Sequence, residues 1–136
     1  MKKKNAGVTL LEVMVVLGIM ALVIGIAGPR VIGYFGKGKA KAAVIQMENL
    51  NSALKLFYLD NGRYPLETEG MALLLAPSGE MPDWAGPYLD KETGIIDPWG
   101  RRYIYSFPGA VRPFDLMSLG EDGQVGGEGN SADIKL

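Results

Sequence analysis

From Val8 to Gly28 the chain is apolar at nearly every position, and Glu12 is the one ionisable side chain in the run. About 21 residues at about 1.5 Å each span roughly 30 Å, the thickness of a bilayer core, so the pattern predicts a membrane-spanning helix over residues 8–29. Pro29 closes the run. Its missing N–H should kink or loosen the helix, and Gly25, Gly28, Gly33, Gly36 and Gly38 weaken it further. Beyond Lys41 the pattern changes: Val44, Met47, Leu50, Leu54 and Phe57 recur at three- and four-residue spacing, with Gln46, Glu48, Asn49 and Lys55 between them. That spacing predicts an amphipathic helix with Met47 and Phe57 in a core. Asp60-Asn61-Gly62 supplies the stop, and Pro65 discourages a restart. The two stretches read as one long, bent element.

Residues 63–96 hold Pro65, Pro77, Pro82, Pro87 and several glycines, which predicts a compact loop region with a short helix over 70–75. Alternation returns in residues 101–106 and 114–119, a predicted antiparallel pair with a turn bracketed by Gly109 and Pro113. Asp97-Pro98-Trp99-Gly100 forms a tight turn ahead of the first strand. The expected class is therefore α+β: a long N-terminal helix packed on a small antiparallel sheet. Its parts are residues 1–7 as a basic leader, 8–29 as the apolar helix, and 30–136 as the folded domain. Within that domain the helix runs to about 62, the loop region covers 63–96, and the sheet with a C-terminal loop covers 97–136.

Composition narrows the chemistry. The 136 residues carry 14 Lys and Arg against 15 Asp and Glu, so no global field favours nucleic acid. Lys2, Lys3 and Lys4 precede the apolar run, which places the leader in the cytoplasm and the domain across the membrane. An ordinary secretory signal would have a shorter apolar stretch and a small-x-small cleavage site, whereas this run ends in Gly28-Pro29-Arg30. There is no Cys and no His, which removes disulfides, thiolate chemistry and the usual general base. Oxygen groups remain, and they suit a hard cation such as calcium. Glu67 and Glu69 form a carboxylate pair that acid–base hydrolysis could use, but without a nucleophile or metal pattern beside it a solvated surface is the expectation, and the chain reads as a non-enzyme.

Glu12 needs a reason. A carboxylate at the centre of a membrane helix costs about 2.5 to 3.5 kcal/mol, less near an end, and so calls for a partner. The Lys-rich start, Gly7, an apolar residue, then Thr9, Leu10, Leu11 and Glu12 together resemble the leader of type IV pilins and pseudopilins. By that resemblance a prepilin peptidase cuts between Gly7 and Val8, the new terminus is N-methylated, and Glu12 becomes the fifth residue of the mature chain. Relatives usually begin with Phe, where this chain has Val8. A carboxylate there can neutralise an α-amine in a low-dielectric fibre core, and the resemblance implies that the amine belongs to a neighbouring subunit. It also implies local melting of the packed helix at Pro29.

The later motifs narrow the family. Tyr58-Leu59-Asp60-Asn61-Gly62-Arg63-Tyr64-Pro65, Gly86-Pro87-Tyr88-Leu89, Asp97-Pro98-Trp99-Gly100 and Ser118-Leu119-Gly120-Glu121-Asp122-Gly123 resemble, in order, signatures of the major pseudopilin of the type II secretion system. The glycine-rich acidic loop over 120–133 is on composition a solvated tail; the resemblance makes it a calcium site. Asp122 and Asp133 would supply side chains there, with Leu119, Asn130 and Ser131 supplying carbonyl oxygens or a polar side chain. Ala132 stands where some relatives carry another acid. The implied partners are copies of the chain, minor pseudopilins, the prepilin peptidase, and an inner-membrane assembly platform with its cytoplasmic ATPase. The implied place is the inner membrane, with the domain in the periplasm. A type IV pilin for adhesion, motility or DNA uptake is the alternative; the short domain, the absent Cys and the Asp-Pro-Trp-Gly turn weigh against it.

Overall fold

In the computed structural model, which describes residues 8–136, one helix dominates: α1, Leu10–Asn61, 52 residues long. Its start is an N-cap at Thr9, in a Thr-x-x-Glu sequence of which only the Thr half is hydrogen-bonded. Thr9 Oγ1 accepts a hydrogen bond from the Glu12 N–H at 3.2 Å, and the Thr9 carbonyl accepts from the Val13 N–H at 3.2 Å. The helix runs through Pro29 without a break, so the two predicted stretches form one element and the expected loosening does not interrupt it. It ends at Gly62, whose φ of 67° is the left-handed conformation a glycine stop provides, with its N–H on the Tyr58 carbonyl at 2.8 Å.

The molecule divides into two compact units, one ending at Phe35 and one from Gly36 to Leu136. In the first, an 18-residue window reaches a mean hydropathy of 2.7 with none of it buried, long and apolar enough to cross a membrane. In the second, one stripe of α1 is buried: Ala43, Met47, Leu50, Ala53, Leu54 and Phe57. It packs with Leu73, Leu74, Ile95, Tyr103, Phe114 and Leu116 into a single core. Val44, predicted for this stripe, is 45% exposed, and Ala43 takes its place. The smaller residue lets the buried Tyr103 approach α1, where its hydroxyl donates to the Ala43 carbonyl at 3.3 Å and lies 2.7 Å from Gln46 Oε1.

The sheet has three antiparallel strands in sequence order: β1 Ile104–Ser106, β2 Asp115–Ser118 and β3 Ile134–Lys135. Ile104 pairs with Met117 and Ser106 with Asp115, while Ser118 pairs with Ile134. The predicted strand pair is present but shorter, because Arg102 bridges back to Ile96 before the ladder begins. The predicted turn closes through the Gly109 N–H on the Pro113 carbonyl at 3.0 Å. The third strand was not predicted, since two residues are too few for alternation to show. The short helix predicted over 70–75 is a 3₁₀ turn, Met71–Leu74, and a second one covers Glu92–Ile95. The loop region between is tied to the helix end by Tyr88, whose hydroxyl lies 2.8 Å from Asp60 Oδ2 and accepts from Asn61 Nδ2 at 3.2 Å.

Candidate functional site

Two groups of predicted site residues lie at opposite ends of the sequence. At the N-terminal end Gly7 falls outside the described residues, and Val8 is exposed just ahead of α1. Glu12 is exposed in the first turn. Val8, Val13, Val16, Leu17 and Met20 line an apolar groove beside it, and its carboxylate has no hydrogen bond or ion pair among the described residues. The Thr9 N-cap holds its backbone, and its charge takes no part in the cap. Sequence reading missed the role of Thr9, although Thr-x-x-Glu ahead of an apolar run is a recognisable signal.

The second group begins where β2 ends. Asp97 is buried and organises this end of the sheet: Oδ1 accepts from the Trp99 N–H at 3.0 Å and the Arg101 N–H at 2.8 Å, while Oδ2 accepts from Ser118 Oγ at 2.8 Å. The turn so held launches the Arg101 side chain, which donates through Nη2 to the Gly120 carbonyl. Its guanidinium also lies against Gly123, where a Cβ would meet Cζ and Nη1 at 3.0 Å. Arg101 thus braces the loop from the strand side. Nothing in its spacing announces that role.

Within the loop each acidic ligand candidate is half used. Asp122 Oδ1 accepts from the Gln124 N–H at 3.0 Å, and Asp133 Oδ2 accepts from the Gly126 N–H at 3.0 Å, with Lys135 Nζ 3.8 Å from the same oxygen. The other oxygens differ in kind from these. Asp133 Oδ1 is buried with no partner, and its side chain is 8% exposed. Asp122 Oδ2 lies 3.2 Å from where a Gly127 Cβ would sit, a position that the Ser131 carbonyl also crowds. The glycine at 127, with φ of 81°, therefore keeps open a space toward which a carboxylate and a carbonyl oxygen both turn. The Leu119 carbonyl accepts from Gly123 N–H at 3.3 Å, and the Asn130 carbonyl from Glu121 N–H at 3.2 Å.

A buried carboxylate oxygen without a partner is costly unless a cation meets it, and mixed carboxylate and carbonyl oxygens are what a hard cation takes. No three His, Cys, Asp or Glu residues cluster for a metal among the described residues, so a site here must draw on main-chain oxygen. Asn130 turns its side chain the other way, onto Gly36 of α1.

The other carboxylate pair is structural. Glu69 is bound by Arg63 at 2.6 and 2.9 Å and by the Leu66 N–H at 2.8 Å, which leaves no free acid–base pair with Glu67 and corrects the expectation of a merely solvated surface.

Comparison with known proteins agrees at both ends of the chain. Residues 2–28 match the prokaryotic N-terminal methylation motif, and residues 30–136 match the family model of type II secretion system protein G. The type II secretion system core protein G of Vibrio cholerae is 40% identical over 137 residues, 97% of this chain and 91% of the relative. That of Xanthomonas campestris is 38% identical over 131 residues, 96% of this chain and 89% of the relative. Among solved structures, the major pseudopilin from the type 2 secretion system of enterohaemorrhagic Escherichia coli superposes with a TM-score of 0.60 at 28% identity, covering 76% of this chain and 90% of that one. With one family model spanning the whole folded domain and relatives aligned over nearly the full length, this chain belongs to the type II secretion system protein G family.

Proposed function

We propose that this chain is the structural subunit of a type II secretion pseudopilus, polymerising through the N-terminal part of α1 to drive folded proteins outward. The observation that carries the reading is Glu12: a carboxylate on an apolar helix face, its backbone held by the Thr9 N-cap and its side chain without a partner among the described residues. A carboxylate held this way gains most from an amine brought by another copy, four residues behind it in sequence and freed by cleavage after Gly7. N-methylation then falls on Val8. The subunit acts by assembly, not by bond chemistry. Its reservoir is the inner membrane, its domain lies in the periplasm, and its partners are copies of itself, minor pseudopilins, the prepilin peptidase and an assembly platform driven by a cytoplasmic ATPase.

Calcium belongs to the same reading. Asp122 and Asp133 would hold it with side-chain oxygen, and Leu119, Asn130 and Ser131 are the nearby carbonyl donors. The unpartnered Asp133 Oδ1 and the space kept by Gly127 support that choice. The ion would neutralise an acidic loop and link β2 to β3 across it.

The test of assembly uses the full-length chain expressed with its secretion machinery, with fibres sheared from cells and counted. Glu12→Gln should leave the protein in the membrane and reduce fibres at least tenfold. Fibre yield equal to wild type would overturn the role of Glu12.

A further inference from the structure

Six glycines punctuate α1, and five of them, Gly18, Gly25, Gly28, Gly33 and Gly38, face open space: a Cβ there would meet nothing within 4 Å. Gly36 is different. It is buried, and a Cβ on it would run into the amide of Asn130, with Cγ at 2.5 Å and Oδ1 at 3.1 Å. The side chain of Asn130 therefore lies directly on the helix backbone, an approach that only glycine permits.

The main chain of Asn130 belongs to the acidic loop. It sits in the 3₁₀ turn Gly129–Ser131, its carbonyl accepts from the Glu121 N–H at 3.2 Å, and the Ser131 N–H closes the turn on the Glu128 carbonyl at 3.1 Å. The carbonyl of the next residue, Ser131, packs on Gly120 and Gly127 and is one of the oxygens gathered near Asp122 Oδ2. One residue thus touches the helix with its side chain and the cation loop with its backbone. Asn130 and Ser131 are successive residues of one 3₁₀ turn, held by the Ser131 N–H on Glu128 and the Ala132 N–H on Gly129, so displacing the Asn130 side chain from Gly36 disturbs the turn that sets the direction of the Ser131 carbonyl.

We propose that Asn130 is a positioning residue for the cation loop: its side chain latches the loop to α1 at Gly36, so that cation binding and helix docking are coupled. The cation half rests on the calcium reading above; the latch itself rests on packing alone. Coupling is reciprocal, so a change on the helix at residue 36 must alter calcium affinity in a loop some 90 residues later, within the usual five- to 150-fold range of such effects.

A double-mutant cycle on the full-length chain in detergent micelles tests it, with Gly36→Ala, Asn130→Ala, the pair together, and Gly38→Ala as the control for helix propensity alone. Calcium affinity by titration calorimetry should fall about fivefold or more in Gly36→Ala and in Asn130→Ala, stay near wild type in Gly38→Ala, and be no lower in the double variant than in either single one. Unchanged affinity in Gly36→Ala, or losses that multiply in the double variant, would overturn the latch. If the wild-type chain takes up no calcium, the loop reading fails separately, and melting in EDTA judges the contact. There Gly36→Ala should melt below Gly38→Ala, and adding Asn130→Ala should restore the difference. Additive losses would overturn it.

Discussion

Arg63 grips both oxygens of Glu69, at 2.6 and 2.9 Å, and this paired hydrogen bond is the main reason the Glu69 carboxyl is held below its usual range, with the Leu66 N–H helping and burial opposing. The same bond raises the Arg63 guanidinium. Because Glu69 titrates lower folded than unfolded, the stabilisation is complete at neutral pH and is lost as pH falls through the ordinary carboxylate value of about 4 toward the folded one. The Arg63 side chain is 41% exposed, so solvent screens the pair and its worth is about 0.5 to 1 kcal/mol. Glu69→Gln should accordingly melt about 2 to 5 °C below wild type at pH 7, with the gap closing at pH 3. A gap independent of pH would assign the loss to packing. Single residues were legible unevenly. Glu12 stood out as a lone charge among apolar neighbours, whereas Thr9 and Asp97 stood in quoted motifs with no role of their own, and Arg101 at the start of a strand pattern, until their hydrogen bonds gave them roles.

At the scale of elements, α1 was readable because a 3.6-residue period leaves a strong mark over many turns. The error at residue 43 shows where that mark blurs. Positions 43 and 44 both lie within three or four residues of Met47, hydropathy favours Val44, and the approach of Tyr103 favours Ala43. β3 was unreadable, because its place is set by pairing with Met117 and Ser118 and not by any pattern of its own. The same dependence makes the Asp97 turn important: it joins the start of β1 to the end of β2 through Ser118. Asp97→Ala leaves the Ser118 hydroxyl and two N–H groups without their acceptor, at about 1 to 3 kcal/mol for each group left buried and unpaired. Ser118→Ala added to it should cost little more, since the partner is already gone. Urea unfolding of wild type, the two single variants and the double would check this, and independent, additive losses would separate the two residues. Phe57, fully buried at the C-terminal end of the α1 stripe, should cost about 3 to 5 kcal/mol as Phe57→Ala. That is a large share of a small domain's stability, and a midpoint near wild type would mean the core lies elsewhere.

For the whole molecule, the order of motifs identified the family while the residues of the C-terminal loop, taken alone, favoured a solvated tail. The reason is physical: the oxygens on which the proposed site would draw are largely main-chain carbonyls, whose direction depends on the fold and leaves no trace in residue type. What the structure adds is an imbalance. Asp133 keeps Oδ1 buried and unpartnered, while Lys135 and the Gly126 N–H meet only its other oxygen. A cation that binds the folded chain and not the unfolded one stabilises by mass action, about 2.7 kcal/mol at a hundredfold excess over its dissociation constant. Calcium should therefore raise the melting temperature of the full-length chain in micelles by several degrees, and EDTA should reverse the rise. In Asp133→Asn the response should vanish, since an amide removes the charge while keeping the size. In the absence of calcium the same variant should melt at or near wild type, because the loss of the exposed Lys135's pairing at 3.8 Å is offset by removing the charged oxygen left buried without a partner. A lost calcium response beside an unchanged calcium-free melt is not what a general loss of packing produces. A calcium response that survives in Asp133→Asn would move the ion to other donors, and a variant weakened equally with and without calcium would make Asp133 a structural residue of the β3 junction.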